Sequence, residues 1–281
     1  MIYDAFMIRD ELDMLRMRVD EADGAPVTHV AVEAPWTHRA VPKPRHLARW
    51  LEDPGNRDWA RENRVIVLTD DWDPDPHAPW VNEHHQRNRA WRYIDRHAAD
   101  GDWVLICDVD EIPSRHLLGW LAGGAGGYGR VVSVPMRTYL FAVDWEVAVP
   151  VPPAVVAAQA GWLRGKARTG MYLAEVRDRR GDYLEAPGRG GWHFSWVGAG
   201  GPAWQAEKLA TATCHTEILG TPEAELIRTG RRWATDADGG GLPVRPVTVD
   251  ASWPAYIAEG RCPPQWFRPR AHDTERAEAA P

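Results

Sequence analysis

Three carboxylates crowd into four residues at Asp108-Val109-Asp110-Glu111, where the apolar run Trp103-Val104-Leu105-Ile106-Cys107 ends. Alternate residues of an extended chain share a face, so Asp108 and Asp110 are expected to point the same way. Carboxylates held that close repel unless a cation sits between them. A hard divalent ion such as Mn2+ or Mg2+ accepts one or two carboxylates and keeps places for phosphate oxygens of a substrate. A helix cap beginning at Ser114 would need only one acid, and this stretch supplies three. The chemistry expected here is a metal-assisted reaction on a phosphate or diphosphate.

Those acids need a frame. The runs at 29–33, 64–71 and 103–108 are short, β-branched and close on acidic residues, and they read as buried parallel strands. Helices are expected at 10–21 and 82–98, with a shorter one at 114–121 closed by the glycines of 123–129. Strands alternating with helices indicate an α/β fold with a mostly parallel sheet, whose carboxyl edge is where ligands bind. The segment 130–141 is β-rich, 202–219 reads as helical, and the chain from about 270 reads as a flexible tail. Gly124-Ala125-Gly126-Gly127-Tyr128-Gly129 matches a dinucleotide fingerprint in letters only. It follows a helix and precedes a strand, so a glycine-rich turn is expected. Gly161-Trp162-Leu163-Arg164-Gly165-Lys166 is one residue short of a phosphate-binding loop and is rejected.

The chain has 281 residues, 44% hydrophobic and 26% charged, with a net charge of −7. This balance is that of an ordinary globular protein and excludes collagen-like, coiled-coil and wholly disordered classes. The acidic balance argues against a nucleic-acid partner. Cys107, Cys214 and Cys262 have no paired spacing, so neither a thiolate zinc site nor a disulfide scaffold is expected. No apolar run is long enough to span a bilayer and no signal-peptide pattern opens the chain, so a cytoplasmic protein without a membrane anchor is expected. Most of the 16 tryptophans fit the GC-rich codon bias that the scarcity of Lys and Phe also shows, but some as platforms for sugar rings would make a non-catalytic carbohydrate-binding protein one reading. A second is a haloacid-dehalogenase-like phosphatase, with Asp108 as nucleophile and Asp110 as acid or base. Ile112 stands where that class has Thr or Val, and two strands precede the motif where that class has none. The third is glycosyl transfer from a nucleotide sugar, where the ion offsets the charge of the departing diphosphate.

The order of motifs favours the third. Ile2-Tyr3-Asp4-Ala5-Phe6, Glu11-Leu12-Asp13-Met14-Leu15-Arg16-Met17-Arg18, Val32-Glu33-Ala34 and Pro42-Lys43-Pro44 come first. Then follow Gln86-Arg87-Asn88, Asp108-Val109-Asp110-Glu111-Ile112-Pro113, Gly191-Trp192-His193-Phe194-Ser195, Lys208 and His215-Thr216-Glu217. The series resembles glycosyltransferase family seventeen, the β-1,4-mannosyl-glycoprotein β-1,4-N-acetylglucosaminyltransferases and their bacterial and viral relatives. Thr37-His38-Arg39-Ala40 departs from the small, Gly-containing stretch of that pattern, and Cys214 and Trp196 stand where Ser and Tyr are expected.

The resemblance implies a GT-A-type, Rossmann-like fold over 1–235, with a nucleotide-sugar half at about 1–127 and an irregular acceptor half at about 128–235. Residues 236–281 would be a C-terminal extension. It also implies an inverting transfer of N-acetylglucosamine from UDP-GlcNAc to a glycan, protein or small-molecule acceptor. Asp110 is expected to bind Mn2+ or Mg2+ directly, with Asp108 holding the ion or the donor's ribose and His193 as a further ligand. Glu217 is the expected base, assisted by His215. Arg18, Arg87 and Lys208 are expected to reach the diphosphate, and Glu33 and Lys43 to contact the donor. Arg164, Lys166 and Arg168 are expected on a loop over the donor.

Overall fold

A computed structural model describes residues 1–69, 72–153, 155–188, 190–198, 204, 208 and 244–267. The chain opens with β1 (Ile2–Ile8), which becomes the centre of the larger sheet. Helix α1 (Leu12–Glu21) follows, then β2 (Val27–Glu33), α2 (His46–Trp50), α3 (Pro54–Glu62) and β3 (Val65–Thr69). The long α4 (Pro79–His97) leads to β4 (Trp103–Asp108). Strands β1 to β4 are parallel, in the order β3-β2-β1-β4.

The chain then changes sheets. Only two residues separate β4 from β5 (Glu111–Pro113), which belongs to a second sheet. Helix α5 (Arg115–Ala122) is capped by the Ser114 hydroxyl, which accepts from the Leu117 amide. The acids of 108–111 therefore have no capping task. The glycines that follow form a short 3-10 turn, with φ of +88° at Gly124 and +87° at Gly127, as the turn reading expects.

Strands β6 (Val131–Val134), β7 (Arg137–Leu140) and β8 (Trp145–Val147) come next, then β9 (Val155–Gln159), α6 (Ala160–Ala167), α7 (Leu173–Asp178) and β10 (Gly191–Ser195). β9 runs antiparallel between β4 and β6 and completes a six-stranded mixed sheet. The second sheet has the order β11-β8-β7-β10-β5, with β11 at Val244–Pro246. The protein is thus α/β, with two sheets that both contain parallel pairs.

Alternation along β1 feeds two cores. Ile2, Phe6 and Ile8 pack with Met14, Leu15 and Met17 of α1, and this core continues into Tyr139 and Phe194 of the second sheet. Tyr3 and Ala5 pack with Ala90, Trp91 and Ile94 of α4 and with Leu163 and Leu173 of α6 and α7. Residues 244–267, expected as part of an extension, are built into the first core. Trp253, Ile257 and Trp266 are buried there, the second of them on α8 (Ala255–Ala258). Among the described residues no helix is long and apolar enough to cross a membrane.

Candidate active site

The site is made where the chain passes from one sheet to the other. Asp108 is the last residue of β4 and Glu111 the first of β5, so Val109 and Asp110 form the crossover. β10 pairs antiparallel with β5, opposing His193 to Glu111, and the Phe194 amide donates to the Asp110 carbonyl at 2.9 Å. Trp192 and Phe194 turn into the core, so alternation leaves His193 and Ser195 on the open face.

Gly191 begins β10 so close to β5 that a Cβ there would lie 2.0 Å from the Ile112 carbonyl oxygen. No side chain fits at that approach.

A frame of buried arginines holds the crossover in place. Arg18 from α1 pairs with Asp4 of β1 and donates through Nη1 to the carbonyls of Asp108, Val109 and Glu111 at 3.0, 3.2 and 2.7 Å. Arg18 engages both Asp4 oxygens, and His29 Nδ1 lies 2.8 Å from one of them, Oδ2. Arg87 from α4 binds the Cys107 carbonyl and Asp108 Oδ1, at 2.9 and 2.8 Å. Arg177 from α7 binds Asp108 Oδ2 at 2.8 Å and both oxygens of Glu111. Burial would raise the Asp108 carboxyl, yet Arg177 and Arg87 hold it well below the usual carboxylate range.

Asp110 has a different setting. Its oxygens face His193 Nε2 at 4.0 Å and Lys208 Nζ at 3.6 Å, and burial pushes its carboxyl up. Lys208 is anchored 2.9 Å from Glu11 Oε1, with its ammonium over the rings of Trp204 and Trp196 at 4.8 and 5.7 Å. Burial would raise Glu11, but Lys208 pulls it down to about 2.

These groups line a cleft of about 280 Å³ at the carboxyl ends of β1, β2 and β4. The connections of β1 lead to β2 on one side and those of β3 to β4 on the other, the position where parallel sheets bind ligands. The cleft wall includes Arg9, Glu11, Trp36, His38, Lys43, Asp108, Asp110, His193 and Lys208.

The sequence profile of Glycosyltransferase family 17 matches residues 1–197. The chain belongs to glycosyltransferase family 17. It is therefore a glycosyltransferase enzyme, and no curated protein sequence matches it.

Within this family 17 enzyme, Asp108, Asp110, His193, Lys43 and Lys208 converge on one cleft. Three residues expected at the donor do not reach it. Arg18 is fully buried, and its guanidinium is spent on Asp4 and three carbonyls. Arg87 is likewise buried, held by the Cys107 carbonyl, Glu83 and Asp108. Glu33 caps α2, accepting from the Leu47 and Ala48 amides at 2.8 and 2.9 Å. Each side chain supports the scaffold because its polar atoms already have internal partners. Both oxygens of Asp108, which also lines the cleft, accept from guanidinium groups, Oδ1 from Arg87 and Oδ2 from Arg177.

Arg164 and Lys166 lie on α6 and not on a loop, and Arg164 is pinned to Asp95 and Asp100 beside α4. His215 and Glu217 lie outside the described residues. Sequence reasoning missed Arg177, His38 and the ligand-side place of Glu11. Glu11 had a signal as part of a quoted motif, and His38 as part of the stretch Thr37-His38-Arg39-Ala40 that departs from the family pattern.

Proposed function

We propose that this protein is a GT-A-type, inverting, metal-dependent transferase that moves N-acetylglucosamine from UDP-GlcNAc to an acceptor hydroxyl. One observation carries the reading: Asp110 and His193, from the crossover and the second sheet, meet Lys208 in a cleft at the carboxyl edge of the parallel strands. The strand order and the acidic crossover support a GT-A-type arrangement. Family membership supports the donor.

The residues fit a divalent ion. Two ligands of one octahedral ion, with bonds of about 2.1 Å, stand roughly 3 to 4 Å apart, and Asp110 Oδ1 and His193 Nε2 are 4.0 Å apart. Among the described residues no group of three or more His, Cys, Asp or Glu side chains is placed to hold a metal ion. A carboxylate and an imidazole alone leave positions for phosphate oxygens and water. When bound, Mn2+ or Mg2+ would neutralise charge developing on the departing diphosphate.

The chain's own groups do the rest. Lys208, oriented by Glu11, places a second positive charge against the diphosphate. Asp108, fixed by Arg87 and Arg177, keeps lone pairs for a hydroxyl of the donor ribose. Glu217 takes the acceptor's proton, with His215 assisting. The acceptor is a glycan, a protein or a small molecule.

Thermal denaturation of the full chain with UDP, UDP-GlcNAc, orthovanadate and free sugars, each with and without Mn2+, tests the reading. UDP and UDP-GlcNAc should stabilise the protein only together with Mn2+, and UDP release should follow from UDP-GlcNAc. Stabilisation by vanadate alone, or by free sugars without nucleotide, would overturn it.

A further inference from the structure

The tight turn after β2 carries three side chains into the cleft that the reaction chemistry does not use: Trp36, His38 and Lys43. The turn is pinned at both ends. The Thr37 amide donates to the Val41 carbonyl at 2.8 Å, the Lys43 amide to the Pro35 carbonyl at 2.8 Å, and Trp36 bridges to Pro42. Asn82 Nδ2 holds the His38 carbonyl at 2.8 Å. These side chains are therefore set before a ligand arrives.

The hydrogen-bond polarity of His38 follows from its neighbours. Gln86 Nε2 donates to the Val32 carbonyl at 2.9 Å, so its Oε1 is the atom facing His38 Nε2 at 3.1 Å. An amide oxygen only accepts, so Nε2 carries the hydrogen. Burial favours the neutral ring, and Nδ1 is left with a lone pair. Glu83 Oε2 lies 3.8 Å from Nδ1, beyond hydrogen-bond range, and as a carboxylate it has no hydrogen to give. Nδ1 therefore calls for a donor from a ligand.

Lys43 is the complement. Its Nζ is buried without a hydrogen-bond partner, and burial lowers its pKa. A desolvated ammonium in that state calls for an acceptor. Trp36 adds a half-buried indole on the same wall, a surface on which a flat ring can stack.

We propose that the turn at 35–43 reads the donor's nucleobase, and that it selects an imide edge, an N–H flanked by carbonyl oxygens, as in uracil. His38 Nδ1 accepts the imide N–H, Lys43 Nζ donates to a neighbouring carbonyl, and Trp36 packs on the ring. Cytosine presents a lone pair in place of that N–H, and two lone pairs facing each other repel. This inference rests on the nucleotide-sugar reading above.

Calorimetric titration of the full chain with UDP and with CDP, both in Mn2+, tests it. The wild type should bind UDP at least about tenfold more tightly than CDP, the ratio one buried hydrogen bond supplies. His38→Leu should lose about tenfold in UDP affinity and bind the two nucleotides alike. His38→Asn, which restores an acceptor, should recover the preference, and it serves as the second variant if His38→Leu fails to fold. Lys43→Met should weaken UDP.

Equal binding of UDP and CDP by the wild type overturns the inference and leaves the transferase reading standing. So does an undiminished preference in His38→Leu. If neither nucleotide binds with or without Mn2+, both readings fall.

Discussion

Two aspartates separated by one residue should answer the same substitution in opposite ways. Asp110→Asn keeps the shape of the side chain and removes its charge. The charge sits 3.6 Å from the Lys208 ammonium, an attraction of about 5 kcal/mol at an effective dielectric constant near 20. Against this stands the cost of burying a carboxylate. The upward shift of the Asp110 carboxyl decides the sum: burial, with repulsion from Asp108 and Glu111, outweighs the attraction of Lys208 and His193. Asparagine should therefore leave stability unchanged or raise it slightly, because Lys208 keeps its 2.9 Å contact with Glu11.

Asp108→Asn turns an amide NH2 toward a guanidinium and breaks ion pairs at 2.8 Å to both Arg87 and Arg177. Removing one partner of a buried pair costs about 3 to 5 kcal/mol. The Asp108 side chain is 34% exposed, and Arg87 and Arg177 keep Glu83 and Glu111, so the low end applies. About 3 kcal/mol corresponds to a fall in Tm of roughly 6 to 12 °C for a chain of this size. Differential scanning fluorimetry gives the stability, and UDP release from UDP-GlcNAc over a Mn2+ series gives the activity. Asp110→Asn should lose metal-dependent turnover while melting at or above the wild-type temperature. If Asp110→Asn melts as low as Asp108→Asn, or keeps its Mn2+-dependent turnover, the division of labour argued here is wrong.

Other outcomes follow from single contacts. Glu33→Ala strands the Leu47 and Ala48 amides. It should cost about 1 to 3 kcal/mol in chemical denaturation with UDP affinity unchanged in calorimetry. Glu11 has a folded pKa near 2 against an ordinary 4.5, so its contribution of roughly 3 kcal/mol is complete above pH 4.5 and is lost as pH falls toward 2. Urea melts across that window should show Glu11→Gln starting lower and losing less than the wild type. Gly191→Ala forces a Cβ against the Ile112 carbonyl. It should unpair β10 from β5, visible as loss of soluble protein or a drop of more than about 3 kcal/mol.

The strands at 29–33, 64–71 and 103–108 were legible because β-branched runs between polar segments have few other homes. Their structural bounds, Val27–Glu33, Val65–Thr69 and Trp103–Asp108, lie within a few residues of that reading. β1 was not legible as a strand. Asp4 interrupts its apolar pattern, and an isolated acid reads as a break. The cost of burying it is offset by Arg18 and His29, which no local window contains. β9 was hidden for a related reason: Pro150, Pro152 and Pro153 break the pattern just ahead of it, yet the chain goes on into a strand buried between β4 and β6. The acidic crossover was legible because three carboxylates together need explaining. Arg18 and Arg87 were misplaced because an arginine that faces a ligand and one that neutralises the protein's own acids look the same in sequence.

That ambiguity bears on how the site works. Strand alternation predicts one shared task for Asp108 and Asp110, and it would hold if the chain stayed extended in one sheet. Instead β4 ends at Asp108, and the next ladder begins at Glu111 in another sheet. Asp108 therefore remains in the arginine frame of the first sheet, while Asp110 faces a histidine and a lysine delivered from later in the chain. The guanidinium groups fix the backbone of the crossover through its carbonyls, and this leaves Asp110 free of internal hydrogen bonds from them. A carboxylate whose two oxygens already accept from arginines is a weaker ligand for an incoming cation. One left facing an imidazole and a partly shared ammonium keeps lone pairs for an incoming cation. The scaffold's buried charges therefore set Asp110 apart, by committing the guanidinium groups to Asp4, Asp108, Glu111 and the crossover carbonyls.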